Sequence, residues 1–78
     1  MARKEDLIRA TAVKRLIRCR KTLRYFNGDG WTPDPKAAKS FAHVIDAARV
    51  CADKQLENVD LVLQLAEAKT ELFSTPMR

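Results

Sequence analysis

Residues 17–26 read IRCRKTLRYF, and the period of this stretch decides the fold of the 78-residue chain. Apolar and charged residues alternate in 17–20 and again in 23–25, as they do in strands with one buried face. Residues 20–22 then form the turn of a hairpin. The apolar members face the core: Ile17, Cys19, Leu23 and Tyr25. The basic members face away from it: Arg18, Arg20 and Arg24.

The same stretch also fits one long helix that runs through residue 26. Its apolar stripe would consist of Ile8, Ala12, Leu16, Cys19, Leu23 and Phe26. That arrangement would make the protein all-α. The alternation favours the hairpin, and the all-α fold is the alternative.

The residues after the hairpin predict a turn and then a helix. The sequence Asn-Gly-Asp-Gly at 27–30 favours a turn, because glycine adopts positive φ without strain and Asn and Asp tolerate it. Trp31 and Thr32 form a short extended segment, in which Trp31 is expected to pack on the core. Asp34 and Pro35 are typical of a helix start, with Asp as the N-cap.

Beyond this start, apolar residues recur at helical spacing. They are Phe41, Val44, Ile45, Ala48, Cys51, Ala52 and Leu56. The main helix is expected over about 43–57, ending near Asn58, which can take the left-handed C-terminal conformation. Residues 59–65 alternate between apolar and other side chains and predict a strand buried on at least one side.

The two ends of the chain complete an α+β prediction in three parts. Residues 1–15 are expected to form a basic N-terminal helix, with Leu7, Ile8 and Ala12 on one side. Residues 16–66 form a ββαβ domain, in which the hairpin and a C-terminal strand make a small sheet packed on the main helix. Residues 67–78 form a tail that is partly helical or frayed.

The pattern Arg24-Tyr25-Phe26, Gly28-Asp29-Gly30-Trp31-Thr32 and Asp34 resembles a group of small bacterial and phage domains of unknown function. The likeness extends to Ala38, Phe41, Ala47, Cys51, Leu56, Val59 and Leu61-Val62-Leu63. It implies the order strand, strand, helix, strand. It implies no activity, and the basic N-terminal segment lies outside it.

The net charge of +5 is unevenly distributed along the chain. Residues 1–24 hold nine bases and two acids, whereas the rest holds six bases and eight acids. A basic sheet face and N-terminal segment would suit nucleic acid, with an aromatic ring to stack on a base. The candidate residues are Arg15, Arg18, Arg20, Lys21, Arg24 and Phe26. The competing interpretation is a solvated face that keeps the protein soluble.

A small sheet with one helix leaves an edge or a face uncovered, which favours self-association or protein binding. Val62 on the last strand, with Leu72 and Phe73 in the tail, would form that interface. We therefore expect a non-enzymatic interaction module, with nucleic-acid binding as the alternative.

Other sites fit poorly. A calcium loop starting at Asn27 would place Trp31 and Ala38 where ligands are needed, and the glycines match no phosphate-binding motif. His43, the only histidine, has no evident catalytic partner. Cys19 and Cys51 are expected to be free thiols of a cytoplasmic protein. No enzyme activity, metal or cofactor is expected, and no apolar run is long enough to span a membrane.

Overall fold

The computed structural model describes residues 13–65 and 71–78. Within them, the elements are β1 (Val13–Cys19), β2 (Tyr25–Phe26), β3 (Trp31–Thr32), α1 (Val44–Asp53), β4 (Val59–Leu65) and β5 (Glu71–Pro76). The five strands form one antiparallel sheet in the order β3-β2-β1-β4-β5, with α1 packed against one face. The predicted α+β fold is confirmed, and the all-α alternative is wrong. No helix in this part of the chain is long and apolar enough to cross a membrane.

The β1–β2 hairpin is confirmed, but its register differs from the prediction by one residue. Leu23 adopts a positive φ of 62° and donates its amide to the carbonyl of Cys19 at 2.8 Å, so it lengthens the turn. Tyr25 therefore pairs with Arg18 and shares its face. Because a shift of one residue reverses every side chain, Phe26 takes the core side that Tyr25 was predicted to occupy.

β1 is the central strand, and it begins earlier than expected. It pairs with β4 over its whole length, from Val13 opposite Leu65 to Cys19 opposite Val59. The predicted helix is therefore wrong for residues 13–15, where the sheet supplies backbone partners that outweigh local helix propensity. The rest of that helix, residues 1–12, lies outside the described residues. The strand predicted at 59–65 is confirmed as β4.

The C-terminal residues form a strand where a helical or frayed tail was predicted. Glu71–Pro76 pairs with β4, and Leu63 lies opposite Phe73. An irregularity between Leu63 and Gln64 leaves Leu72 as the extra residue of a β-bulge. The domain thus reaches Pro76, not residue 66, because the open edge of β4 is a template for one more strand.

The segment between β3 and α1 makes one turn and then joins the sheet. The amide of Ala37 donates to the carbonyl of Asp34 at 3.0 Å, but no helix continues from there. Instead Phe41 donates its amide to the carbonyl of Arg15 at 2.9 Å, which holds the chain extended beside β1. The predicted helix start at Asp34–Pro35 is therefore wrong, and α1 begins at Val44 with His43 as its N-cap.

α1 ends at Asp53, earlier than expected, although Asn58 does take the left-handed conformation at φ 57°. Its buried residues are Ala47 and Cys51, while Val44 and Ile45 are 49% and 58% exposed. The core beneath it consists of Ile17, Phe26, Phe41, Ala47, Cys51, Val59 and Leu61. On the other face of the sheet, Leu16 and Val62 pair with each other and are fully buried.

Candidate interaction surfaces

Two of the predicted basic residues are held in ion pairs within the sheet. Arg18 on β1 pairs with Glu71 on β5 at 2.5 Å, and so joins two strands that flank β4. Arg20 donates through Nε to the Asp60 carboxylate at 3.0 Å. Its Nη2 also donates to the carbonyls of Val59 and Arg78, each at 3.2 Å. These guanidinium groups tie the sheet together, so their charges are largely offset within the molecule.

The environment of Arg18 favours its charged form. Burial acts to lower the pKa of Arg18, but the Glu71 carboxylate and the Tyr25 hydroxyl outweigh it, and the pKa is raised above its ordinary value. The side chain is only 17% exposed, and its Nε has no hydrogen-bond partner among the described residues. Arg18 therefore depends on Glu71 for compensation of a charge that is mostly out of water.

We expect Glu71→Ala to lower the free energy of unfolding by about 1–2 kcal/mol. The value lies between those of exposed and buried ion pairs, because the Glu71 side chain is 39% exposed whereas the Arg18 side chain is mostly buried. Urea denaturation followed by circular dichroism measures the change. Glu57→Ala, which removes an exposed acid, is the matched control and should change stability by less than about 0.5 kcal/mol. Equal effects of the two substitutions would show that Glu71 is only a surface charge.

The structure removes two residues from the predicted interfaces. Phe26, expected to stack on a base from the basic face, is only 3% exposed and lies in the core. Val62, expected in a dimer contact, is fully buried. Neither side chain is available to a partner in this structure, so both predictions are wrong as made. The Phe26 error follows from the shifted hairpin register, because that shift turned Phe26 inward.

Lys21 and Arg24 differ from Arg18 and Arg20. Both are exposed, and neither forms an ion pair within residues 13–65 and 71–78. Arg15, the remaining predicted cation, is half-buried beside Phe41. The carbonyl of Arg15 accepts a hydrogen bond from the amide of Phe41. The available positive charge of the hairpin is therefore concentrated at its turn, beyond the sheet face.

A groove lies beside this turn. It has a volume of about 410 Å³ and is lined by Cys19, Thr22, Arg24 and Trp31; we call it the Trp31 groove. Trp31 is 37% exposed, and its ring meets that of Phe26 edge-to-face with centroids 5.7 Å apart. The sequence predicted that Trp31 packs on the core. The indole does pack on the ring of the core residue Phe26, and part of it stays exposed to solvent.

The two thiols have opposite environments. Hydrogen bonds to the side chain and backbone of Thr22, together with the charge of Lys21, lower the pKa of Cys19. Burial raises the pKa of Cys51, whose Sγ lies 3.8 Å from the sulfur of Met77. Both cysteines are free, as predicted. Their spacing in the sequence carried no signal of this difference, since it arises from the hairpin turn.

The edge strand β5 carries the other two predicted interface residues. Leu72 is 52% exposed and Phe73 is 53% exposed. Within the described part of the chain, β5 pairs with β4 on one side and with no strand on the other. Glu71 and Pro76 bound the strand, and the residues between them are uncharged.

A second groove, of about 390 Å³, lies beside the start of α1 and includes Phe41, Asp46 and Arg49 in its lining. It presents charges of both signs, and the aromatic residue in its lining, Phe41, is buried in the core. Across residues 13–65 and 71–78, no group of His, Cys, Asp or Glu is placed to hold a metal ion. No protein-family model, curated protein or solved structure matches this chain.

Proposed function

We propose that this protein is a non-enzymatic module that self-associates by pairing the free edge of β5 with the same edge of a second copy. The observation that carries the proposal is the half-exposed Leu72–Phe73 pair on an edge strand. Exposed edges in soluble proteins usually carry charges, proline or bulges that discourage pairing. Here these devices lie at the ends of β5, at Glu71, the Leu72 bulge and Pro76, so the centre of the strand is unguarded.

The geometry suits two identical copies. An edge strand can pair antiparallel with the same strand of a second copy about a two-fold axis. This pairing buries the same patch on both molecules and closes the assembly at a dimer. The opposite edge of the sheet is β3, with only two residues, and offers too little backbone for lateral pairing. β5, with six residues, is the edge that can support such a ladder.

The expected dimer is weak. Completing the burial of two Leu and two Phe side chains that are already half covered contributes about 1 kcal/mol each. Backbone hydrogen bonds across the new ladder add about 0.5–1.5 kcal/mol each. Association itself costs at least about 4 kcal/mol. The balance of a few kcal/mol corresponds to a dissociation constant in the high-micromolar to millimolar range.

Sedimentation equilibrium from about 10 µM to about 1 mM tests the proposal over this range. The wild type should shift from monomer toward dimer as concentration rises. Phe73→Lys places a charge at the centre of the edge and should weaken the dimer at least about tenfold. Ile45→Lys is the matched control, since it introduces the same charge at an apolar residue that is 58% exposed on α1. A strict monomer at the highest concentration, or equal weakening by both variants, would overturn the proposal.

A further inference from the structure

The Trp31 groove combines an open aromatic ring with uncompensated positive charge. Arg24 lines the groove. Lys21 does not line it, but its charge helps to lower the pKa of the lining residue Cys19, which indicates that it lies nearby. Neither cation is used in an ion pair within the described ranges, whereas Arg18 and Arg20 are. The cations at the groove therefore differ from Arg18 and Arg20, because they can bind an anionic ligand without first breaking an ion pair.

The ring is placed and supported for stacking. Its edge-to-face contact with the buried Phe26 fixes the orientation of Trp31, and strand pairing opposite Phe26 fixes its backbone. A ring held in this way loses little side-chain entropy when a flat ligand binds. The volume of about 410 Å³ is near the lower end of the range of small-ligand clefts, about 300–1,000 Å³, and is sufficient for one nucleotide.

We propose that the Trp31 groove binds single-stranded nucleic acid, with one base stacked on Trp31 and neighbouring phosphates at Arg24 and Lys21. Stacking needs a base that is not already stacked in a duplex, which favours a single strand. A base on an aromatic ring contributes about 1–3 kcal/mol, and two phosphate contacts add a salt-dependent part. This site is separate from the β5 edge, so either proposal can fail without the other.

The fluorescence of Trp31, the only tryptophan of the chain, reports directly on the groove. An oligothymidylate of about eight nucleotides should quench it to saturation. With two phosphate contacts to a single strand, affinity should fall about sevenfold between 50 and 200 mM salt. Absence of quenching, or quenching that salt does not weaken, would overturn the proposal.

Two exposed arginines provide a matched pair of variants. Arg24→Gln should weaken binding and reduce the salt effect to about threefold, since one phosphate contact is lost. Arg49→Gln removes the same charge from α1, in the wall of the other groove, and should leave the salt effect unchanged. If the two variants lose affinity equally, binding depends on net charge alone and the groove is not the site.

The thiol of Cys19 gives a second readout. Saturating oligothymidylate should slow alkylation of Cys19 by iodoacetamide, a neutral reagent, because the strand covers the groove that the thiol lines. An oligomer of deoxyribose phosphate without bases should neither quench Trp31 to the same extent nor protect Cys19 as well. Duplex DNA that quenches and protects as strongly as the single strand would contradict the stacking mode.

Discussion

Replacing Ile17 with alanine is expected to lower the free energy of unfolding by about 3 kcal/mol. Ile17 is fully buried in the centre of β1, lies opposite Leu61, and packs in the cluster beneath α1. Removing three carbon atoms there loses transfer free energy and leaves a cavity that a strand fixed on both sides cannot close. A domain of 78 residues has a total stability of about 4–12 kcal/mol, so the loss is a large part of the whole.

Urea denaturation of the wild type and of Ile17→Ala measures this loss, and the melting temperature should fall by about 12–24 °C. Ile45→Ala removes the same atoms from a side chain that is 58% exposed. It should change stability by less than about 0.5 kcal/mol. If the two variants behaved alike, the core would not lie between α1 and this face of the sheet.

Alkylation by iodoacetamide at neutral pH is expected to modify Cys19 more than about 100-fold faster than Cys51. The thiolate is the reactive form, and the pKa of Cys19 is lowered by Thr22 and Lys21 while burial raises the pKa of Cys51. Cys19 also lines an open groove, whereas Cys51 is 1% exposed. Both effects act in the same direction.

Mass spectrometry of the two cysteine peptides over time gives both rates. As pH rises, the rate at Cys19 should reach its half-maximum at a lower pH than the rate at an ordinary exposed thiol, because its thiolate forms earlier. In strong denaturant both thiols should react at similar rates. Equal rates in the native protein would contradict the described hairpin turn, since its contacts with Thr22 and Lys21 distinguish Cys19.

The parts of the fold that local pattern determines were predictable. The alternation in 17–20 and 59–65 predicted β1 and β4, because a half-buried strand must present apolar side chains with period two. The turn at 27–30 was predictable from its glycines, and Gly28 indeed has a φ of 106°. In each case the signal lies within a few adjacent residues, as the physical cause does.

The parts that distant pairing determines were not predictable in the same way. α1 begins at Val44 because Phe41 is first held against Arg15, a partner 26 positions away in the sequence. β5 forms because β4 offers an open edge, and no local pattern in residues 71–76 requires a strand. Both events depend on the assembled sheet, which the residues of each segment do not encode alone.

One error in predicting the hairpin turn also changed the predicted candidate site. Leucine rarely adopts positive φ, so nothing in the sequence indicated that Leu23 would lengthen the hairpin turn. That extra residue turned Phe26 into the core and paired it with Trp31, which remained partly open. The sequence therefore identified basic residues next to an aromatic ring, but that ring, Phe26, is buried in the core, and two of the arginines are held in ion pairs within the sheet.

Amide hydrogen exchange at two concentrations tests the proposed β5 edge most directly. At about 1 mM, the β5 backbone amides of residues 71–75 that point away from β4 should exchange about threefold more slowly than at about 20 µM, because part of the population is paired. Amides of α1 should exchange equally at both concentrations. Exchange in β5 that does not depend on concentration would contradict self-association through this edge.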